Sequence, residues 1–207
     1  MSTLLLRLEG PLQAWGVGPR LDLRQSAPWP TKSGVLGLLR EAMGLPWEAR
    51  ADSLARLPLA VAVLRPGRRL VDLQTVQGVV AAEKDDLKNK LTLREYLADA
   101  AFLAALEGPE ELMEKAQAAL LNPAREIYLG RRGCLPSPPV ALPEGPSPLP
   151  LLEALRSELE RRGRQQARLI LEAPVGQGRM IHDVPVGRFC ERRFAPRFVQ
   201  EETWRLS

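Results

Sequence analysis

Histidine, cysteine and clustered carboxylates carry most hydrolytic, nucleophilic and metal chemistry. This chain has little to offer there. His182 is its only histidine, with Asp183 beside it. Neighbours on a strand point to opposite faces, so the two make no acid–base pair. Cys134 and Cys190 stand far apart, which argues against structural zinc and a disulfide framework and makes a reducing cytoplasm the expected compartment. Glu107, Glu110, Glu111 and Glu114 fit the dipole-favoured start of a helix rather than a metal site. No catalytic residue, metal or cofactor is therefore expected. Arginine is different: of the 29 basic residues 24 are Arg and five Lys. Guanidinium groups contact phosphate bidentately and stack on bases, although a GC-rich genome or a thermophilic source would also enrich arginine and leave Asn, as here, at only positions 89 and 122.

The residue patterns that fit nucleic acid are local. Arg131 and Arg132 lie between Gly130 and Gly133, directly after a predicted strand. Such a loop can follow a phosphate backbone and leave the guanidinium groups free to stack, or it is a solvated turn. Trp15 offers either a stacking surface or a core side chain, and Arg20 and Arg24 add charge near it. At the start of the next predicted helix, Lys32 and unpaired backbone N–H groups favour an anion such as phosphate. Gly34 and Gly37 follow, each costing the helix roughly 1 kcal/mol relative to alanine. They serve either tight helix–strand packing or close approach of a phosphate. Lys32-Ser33 is not a P-loop ending, because Ser26 and Thr31 stand where that motif needs glycine.

The elements that must position these residues follow from periodicity. Residues 4–8 read as a strand that breaks at Gly10-Pro11. Residues 30–44 read as a helix with a stripe of Val35, Leu38, Leu39 and Ala42, capped by Thr31 or Ser33 and ended by Gly44. Residues 59–64 (LAVAVL) predict a buried strand, and 68–77 its partner strand. Residues 78–90 are small and charged, and predict a mobile excursion or hairpin arm. Residues 91–106 favour helix by propensity and also permit one long strand; 109–121 predict a helix with Pro109 at its first position; 125–129 predict a short strand. Taken with 91–106 as strand, the order is that of a split βαβ unit, an α+β ferredoxin-like or RNA-recognition-motif domain. Seven prolines within 136–150 predict an extended linker. Beyond it, a helix at 151–162 and two or three strands predict a small β-rich C-terminal region. The expected organisation is thus a domain over 1–135 with a thumb at 78–93, a linker over 136–150, and a C-terminal region over 151–207.

Charge is unevenly distributed around a net +4. Residues 83–114 hold nine acids against four bases, whereas 156–207 hold eleven Arg against seven acids. A basic second half beside an acidic middle implies one face for nucleic acid and another for solvent or partners. No run reaches the ~18 apolar residues of a membrane span, and no secretory signal is apparent.

Four blocks in order, GPLQAWG, PTKSGVLGLL, REYLADAAF and YLGRRGC, lie within residues 4–134. Together they resemble the CasD subunits of type I-E CRISPR surveillance complexes (Cascade), members of the repeat-associated mysterious protein superfamily built on the RNA recognition motif fold. The resemblance implies a non-catalytic subunit that binds the 5′ handle of CRISPR RNA and caps a filament of CasC backbone subunits. It implies contact with the large subunit CasA in the assembled complex, leaves contact with target DNA there open, and implies a thumb at 78–90 reaching a neighbouring subunit. Carried over onto this sequence, the RNA-facing positions are Gln13, Trp15, Lys32, Ser33, Arg94, Tyr96, Arg131 and Arg132, with Arg24 added for its charge. Two alternatives stand beside this reading. One is a metal-independent endoribonuclease using Tyr96, Tyr128 or Lys32, as in siblings that cut precursor RNA. The other is a stand-alone single-stranded RNA-binding module.

Overall fold

The structure is a computed structural model that describes residues 1–18, 23–81 and 84–206, with 79–81, 84–88 and 90 described by backbone alone. Arg20 and the hairpin tip therefore lie outside the described residues. In chain order the elements are β1 (Ser2–Glu9), β2 (Leu12–Gln13), β3 (Trp15–Val17), β4 (Leu23–Ala27), α1 (Lys32–Ala42), α2 (Asp52–Ala55), β5 (Leu59–Arg65), β6 (Arg68–Ala81) and β7 (Lys84–Ala98). They continue as β8 (Ala101–Gly108), α3 (Glu110–Leu121), α4 (Leu151–Arg161), β9 (Gln166–Ala173), β10 (Arg179–Val186) and β11 (Arg193–Arg205). The chain is a mixed α+β protein dominated by strands.

Six strands form the main sheet in the order β1-β8-β5-β9-β11-β10. Both faces are covered. Leu4, Leu6, Leu8, Val61, Phe102 and Ala104 pack beneath α1 and α3, while Leu5, Ala62, Leu103, Ala105 and Leu169 pack against Leu155 and Leu159 of α4. Two-sided burial explains why LAVAVL and AFLAAL are continuous apolar runs rather than alternating ones.

Residues 91–106 are neither a helix nor one strand. Asp99 adopts a left-handed conformation, φ 57°, and splits the run into the end of β7 and β8. Asp tolerates this geometry without glycine or proline to announce it, and burial of β8 between β1 and β5 overrides its helical propensity. The strand at 68–77 does not partner β5. It is the start of β6, which pairs with β7 as a long antiparallel hairpin. The described backbone of 78–81 and 84–90 belongs to that ladder, so the excursion is a paired arm. A smaller sheet, β2-β7-β4-β3, forms at its root, with β4 parallel to β7.

Pro109 caps α3 rather than occupying its first turn. Residues 125–129 form no strand; the edge of β1 is taken by the proline-rich segment instead. There Thr3 and Ser147 exchange backbone bonds at 2.8 Å, Arg7 N–H donates to the Val140 carbonyl at 2.7 Å, and Ser137 N–H donates to that of Glu9 at 2.7 Å. Val140 and Ala141 are buried in the core. Prolines cannot fill a regular ladder but suit an edge, so 136–150 is a packed edge and not a spacer. Strands β9, β10 and β11 continue the main sheet, so no break in the sheet falls at 135 or 151.

Helix α4 is held by an ionic contact that gives a pH prediction. Burial alone would push the Glu158 carboxyl up, but hydrogen bonds from Arg161 and Arg162, with their charges, bring it below the ordinary glutamate range. A lowered folded pKa means stability present above the ordinary glutamate pKa and lost as pH falls through the folded one. Glu158→Gln should therefore be less stable than wild type at neutral pH, with the gap closing in acid. Urea unfolding at a series of pH values measures it, and a pH-independent gap would contradict the assignment.

Candidate nucleic-acid interface

Helix α1 starts where Thr31 Oγ1 accepts the Gly34 N–H at 3.3 Å. The anion expected at this helix start is present, but it is the protein's own. Asp183 Oδ2 accepts the Lys32 N–H at 2.7 Å, and Arg197 grips the same carboxylate at 2.7 and 2.9 Å. The buried Lys32 Nζ bonds Glu172 at 2.9 Å, which also receives Arg197 at 3.3 Å. Lys32 is thus an internal residue, its charge already paired within the protein.

Gln13 and Trp15 are internal too. Gln13 is fully buried, and its amide donates to the carbonyls of Ala100 at 2.8 Å and Leu8 at 3.1 Å. Its oxygen accepts the Trp15 indole N–H at 3.0 Å. The indole lies under Gly34, where a Cβ would come within 2.6 Å of Trp15 Cε3. Gly34 therefore serves tight packing. Gly37 does not: an added Cβ there meets nothing within 4 Å.

The arginine pair divides. Gly130, at φ +95°, lets its loop lie on Ala14, whose oxygen would be 1.8 Å from an added Cβ. Arg131 then folds back, donating to the carbonyls of Glu95 at 3.0 Å and Arg24 at 2.7 Å and stacking 4.7 Å over Tyr96. It clamps the loop to the hairpin root and takes Tyr96 with it. Arg132 points outward and is exposed. Arg24 is exposed beside the half-buried Arg94 in the parallel β4–β7 register, and Arg94 Nε is buried without a hydrogen-bond partner among the described residues.

Ser33 does open on a groove. Two adjoining cavities of about 860 and 280 Å³ share the face of α1 formed by Ser33, Gly34, Gly37 and Arg40. One wall is the Arg125–Arg132 segment, fixed to the end of α1 by Ala124 N–H to Ala42 O at 2.9 Å and by Arg125 to Leu45 O at 2.6 Å. The other wall carries Arg188 and Arg192, and its backbone is stitched to the Trp47 loop by Phe189 N–H to Ala49 O at 3.1 Å and Cys190 N–H to Trp47 O at 3.0 Å. Arg132, Arg188 and Arg192 have no carboxylate partner among the described residues. Arg40 lies 4.0 Å over Trp47 and 5.5 Å from Phe189, with Nε and Nη1 unpartnered. Burial, and then the charge of Arg125, push its guanidinium below the ordinary arginine range, against the opposing pull of Glu48.

Sequence reasoning missed Arg40, Trp47, Arg125, Arg188 and Arg192. For Arg40 a signal existed, since it falls three residues after Gly37 and seven after Ser33 on one helical face. The others converge only through tertiary contacts.

A strand-rich α+β scaffold with an arginine-lined groove is the class these features define. The family model described as CRISPR-associated protein (Cas_Cas5) matches residues 3–200, and the chain belongs to that family. It is 33% identical over 149 residues to the CRISPR system Cascade subunit CasD of Escherichia coli (strain K12), a match that spans 64% of this chain and 66% of that relative. Among solved structures, one described as a crystal structure of Cas protein has 41% identity and a TM-score of 0.77, covering 98% of this chain and 95% of its own. Another, described as a CRISPR RNA-guided surveillance complex, has 28% identity and a TM-score of 0.84, covering 99% and 91%. The four sequence blocks point to the same family.

The two neighbouring arginines should respond differently to substitution. Arg131→Ala removes two charged hydrogen bonds and a ring contact, and should cost on the order of 2 kcal/mol or more. Arg132→Ala should stay within ~0.5 kcal/mol. Denaturant unfolding of the two variants measures the difference, and equal effects would contradict the clamp.

Proposed function

We propose that this chain is a non-catalytic RNA-binding subunit of a CRISPR RNA-guided surveillance complex, and that it holds the repeat-derived 5′ handle of CRISPR RNA in the groove along α1. The observation that carries this reading is the set of arginines converging on that groove from three separate segments: Arg132, then Arg188 with Arg192, all without a carboxylate partner among the described residues, and Arg40 of α1 with two nitrogens unpartnered. Phosphate contacts of this kind position a polyanion, and arginine and tryptophan faces accept bases. Membership of the Cas5 family and likeness to the CasD relative support the role in a complex. A ferredoxin-like core also fits: the order β1-α1-β5-β8-α3 is followed by a return segment, 137–147, antiparallel beside β1. The β6–β7 arm, with Leu70, Val71, Leu73, Leu91 and Leu93 exposed, is the surface we assign to the neighbouring CasC subunit. Contacts with CasA and with target DNA belong to the assembled complex.

The groups available for RNA cleavage support binding over cutting. Lys32 is ion-paired and buried, and Asp183 is held by Arg197. The Tyr128 hydroxyl is bonded to Glu126, which raises its pKa and makes it a poorer base at neutral pH. His182 lies on β10 in a separate cavity beside Trp29.

Replacing Arg132 and Arg188 together by alanine should weaken binding of repeat RNA and make its salt dependence shallower by about 1.4 units of slope, at ~0.7 per neutralised phosphate on a single strand. Labelled repeat RNA should remain intact with the protein in EDTA. Unchanged affinity in the double variant would refute the groove as the interface, and a specific cut lost in Tyr128→Phe would favour the endoribonuclease.

A further inference from the structure

Gly37 stands in the middle of α1, where glycine weakens a helix relative to alanine. Its φ is not positive, and an added Cβ meets nothing within 4 Å. Nothing in the free chain therefore requires glycine there, in contrast to Gly34 against Trp15. One turn on, Arg40 lines the same two cavities with only 7% of its surface exposed and with Nε and Nη1 unpartnered. Buried polar groups in native proteins are rarely left in that state, and a charged group least of all. Its one carboxylate contact, Glu41, is shared with Arg125.

We propose that a single phosphodiester of the bound RNA packs directly on the bare backbone of α1 at Gly37, with Arg40 as its counter-cation. This rests on the reading of the groove as an RNA interface and adds the point of closest approach. A methyl group at residue 37 would hold the phosphate away from the helix, and at this range small displacements matter because charge-assisted hydrogen bonds need a near-contact distance. The Arg40 guanidinium carbon lies 4.0 Å over the Trp47 ring, which is 42% exposed, and an arriving phosphate would shift the indole to reach the buried, unpartnered nitrogens. The other tryptophans, Trp15, Trp29 and Trp204, are buried and line neither cavity, so a change in fluorescence on RNA addition reports on Trp47.

The test uses the full chain, repeat RNA, and the variants Gly37→Ala, Gly37→Leu and Arg40→Met. Gly37→Ala should melt about 2–4 °C higher than wild type, from the gain in helix propensity. It should nevertheless bind repeat RNA about tenfold more weakly, the scale of one charged hydrogen bond, with Gly37→Leu weaker still. Arg40→Met should remain folded, lose a similar factor in affinity and lose the tryptophan fluorescence change on RNA addition. Stability and affinity moving in opposite directions is the signature of a glycine kept for a ligand. Wild-type affinity in both Gly37 variants, while the Arg132 and Arg188 double variant still binds poorly, would overturn this inference and leave the groove intact. A lower melting temperature in Gly37→Ala would likewise overturn it, because the glycine would then be structural. Failure of wild type to bind repeat RNA would overturn both.

Discussion

The carboxylate of Asp183 sits at the N-terminus of α1 and is the point where the two ends of the chain are joined. Its Oδ2 accepts the Lys32 N–H while Arg197 occupies its remaining lone pairs, and Lys32 and Arg197 both reach Glu172. Four charged side chains from α1, β9, β10 and β11 thus form one network in which each charge has a partner. The helix N-terminus, with its partial positive charge, favours an anion in that place. Breaking such a buried pair on one side typically costs about 3–5 kcal/mol, because the other charge is left stranded. The network specifies which face of β10 meets α1, a choice that apolar packing alone leaves looser.

That choice fixes the groove. With β10 docked, the turn after it falls beside the Trp47 loop, and backbone bonds from Ala51 to Gly187 and from Phe189 to Ala49 lock the two segments. The opposite wall depends on a close approach of another kind, Gly130 against Ala14, secured by the Arg131 clamp. One wall is held by ion pairs and the other by backbone contact and a folded-back arginine, and α1 is the floor between them. Several residues read from sequence as ligand contacts are instead parts of this frame: Gln13, Trp15 and Lys32 support the groove without lining it, and Arg131 lines the smaller cavity while its guanidinium is spent on the clamp.

The strands with continuous apolar runs and the capped helix α1 were legible because burial on both sheet faces and helix punctuation leave local marks. The β7–β8 turn was not, since Asp99 makes it without glycine or proline. Nor was the edge role of 136–150, where proline density signals only the lack of a regular ladder. For the candidate site, the sequence marks the start of α1 and the Gly130 loop, and the tertiary contacts decide which of their side chains face the groove. A motif with Lys32 at a helix start looks the same whether its anion arrives from solution or from Asp183, 151 positions along the chain. Likewise Arg131 and Arg132 are indistinguishable until the carbonyls of Arg24 and Glu95 are brought beside one of them.

The groove also bears on the stability of the free chain. Arg40 and Arg125 share one carboxylate, and Arg132, Arg188 and Arg192 add charge without an ion pair among the described residues. Like charges gathered on one face raise the free energy of the folded state relative to the chain extended in solution. A polyanion that binds only the folded form removes this repulsion and stabilises the fold by mass action, so binding and folding draw on the same electrostatic term. The Asp183 network lies outside that exchange because its charges are already balanced. The protein thus separates its charges into two sets, one internal and neutralised that holds the frame, the other only partly offset along the groove, where a phosphate backbone would complete it.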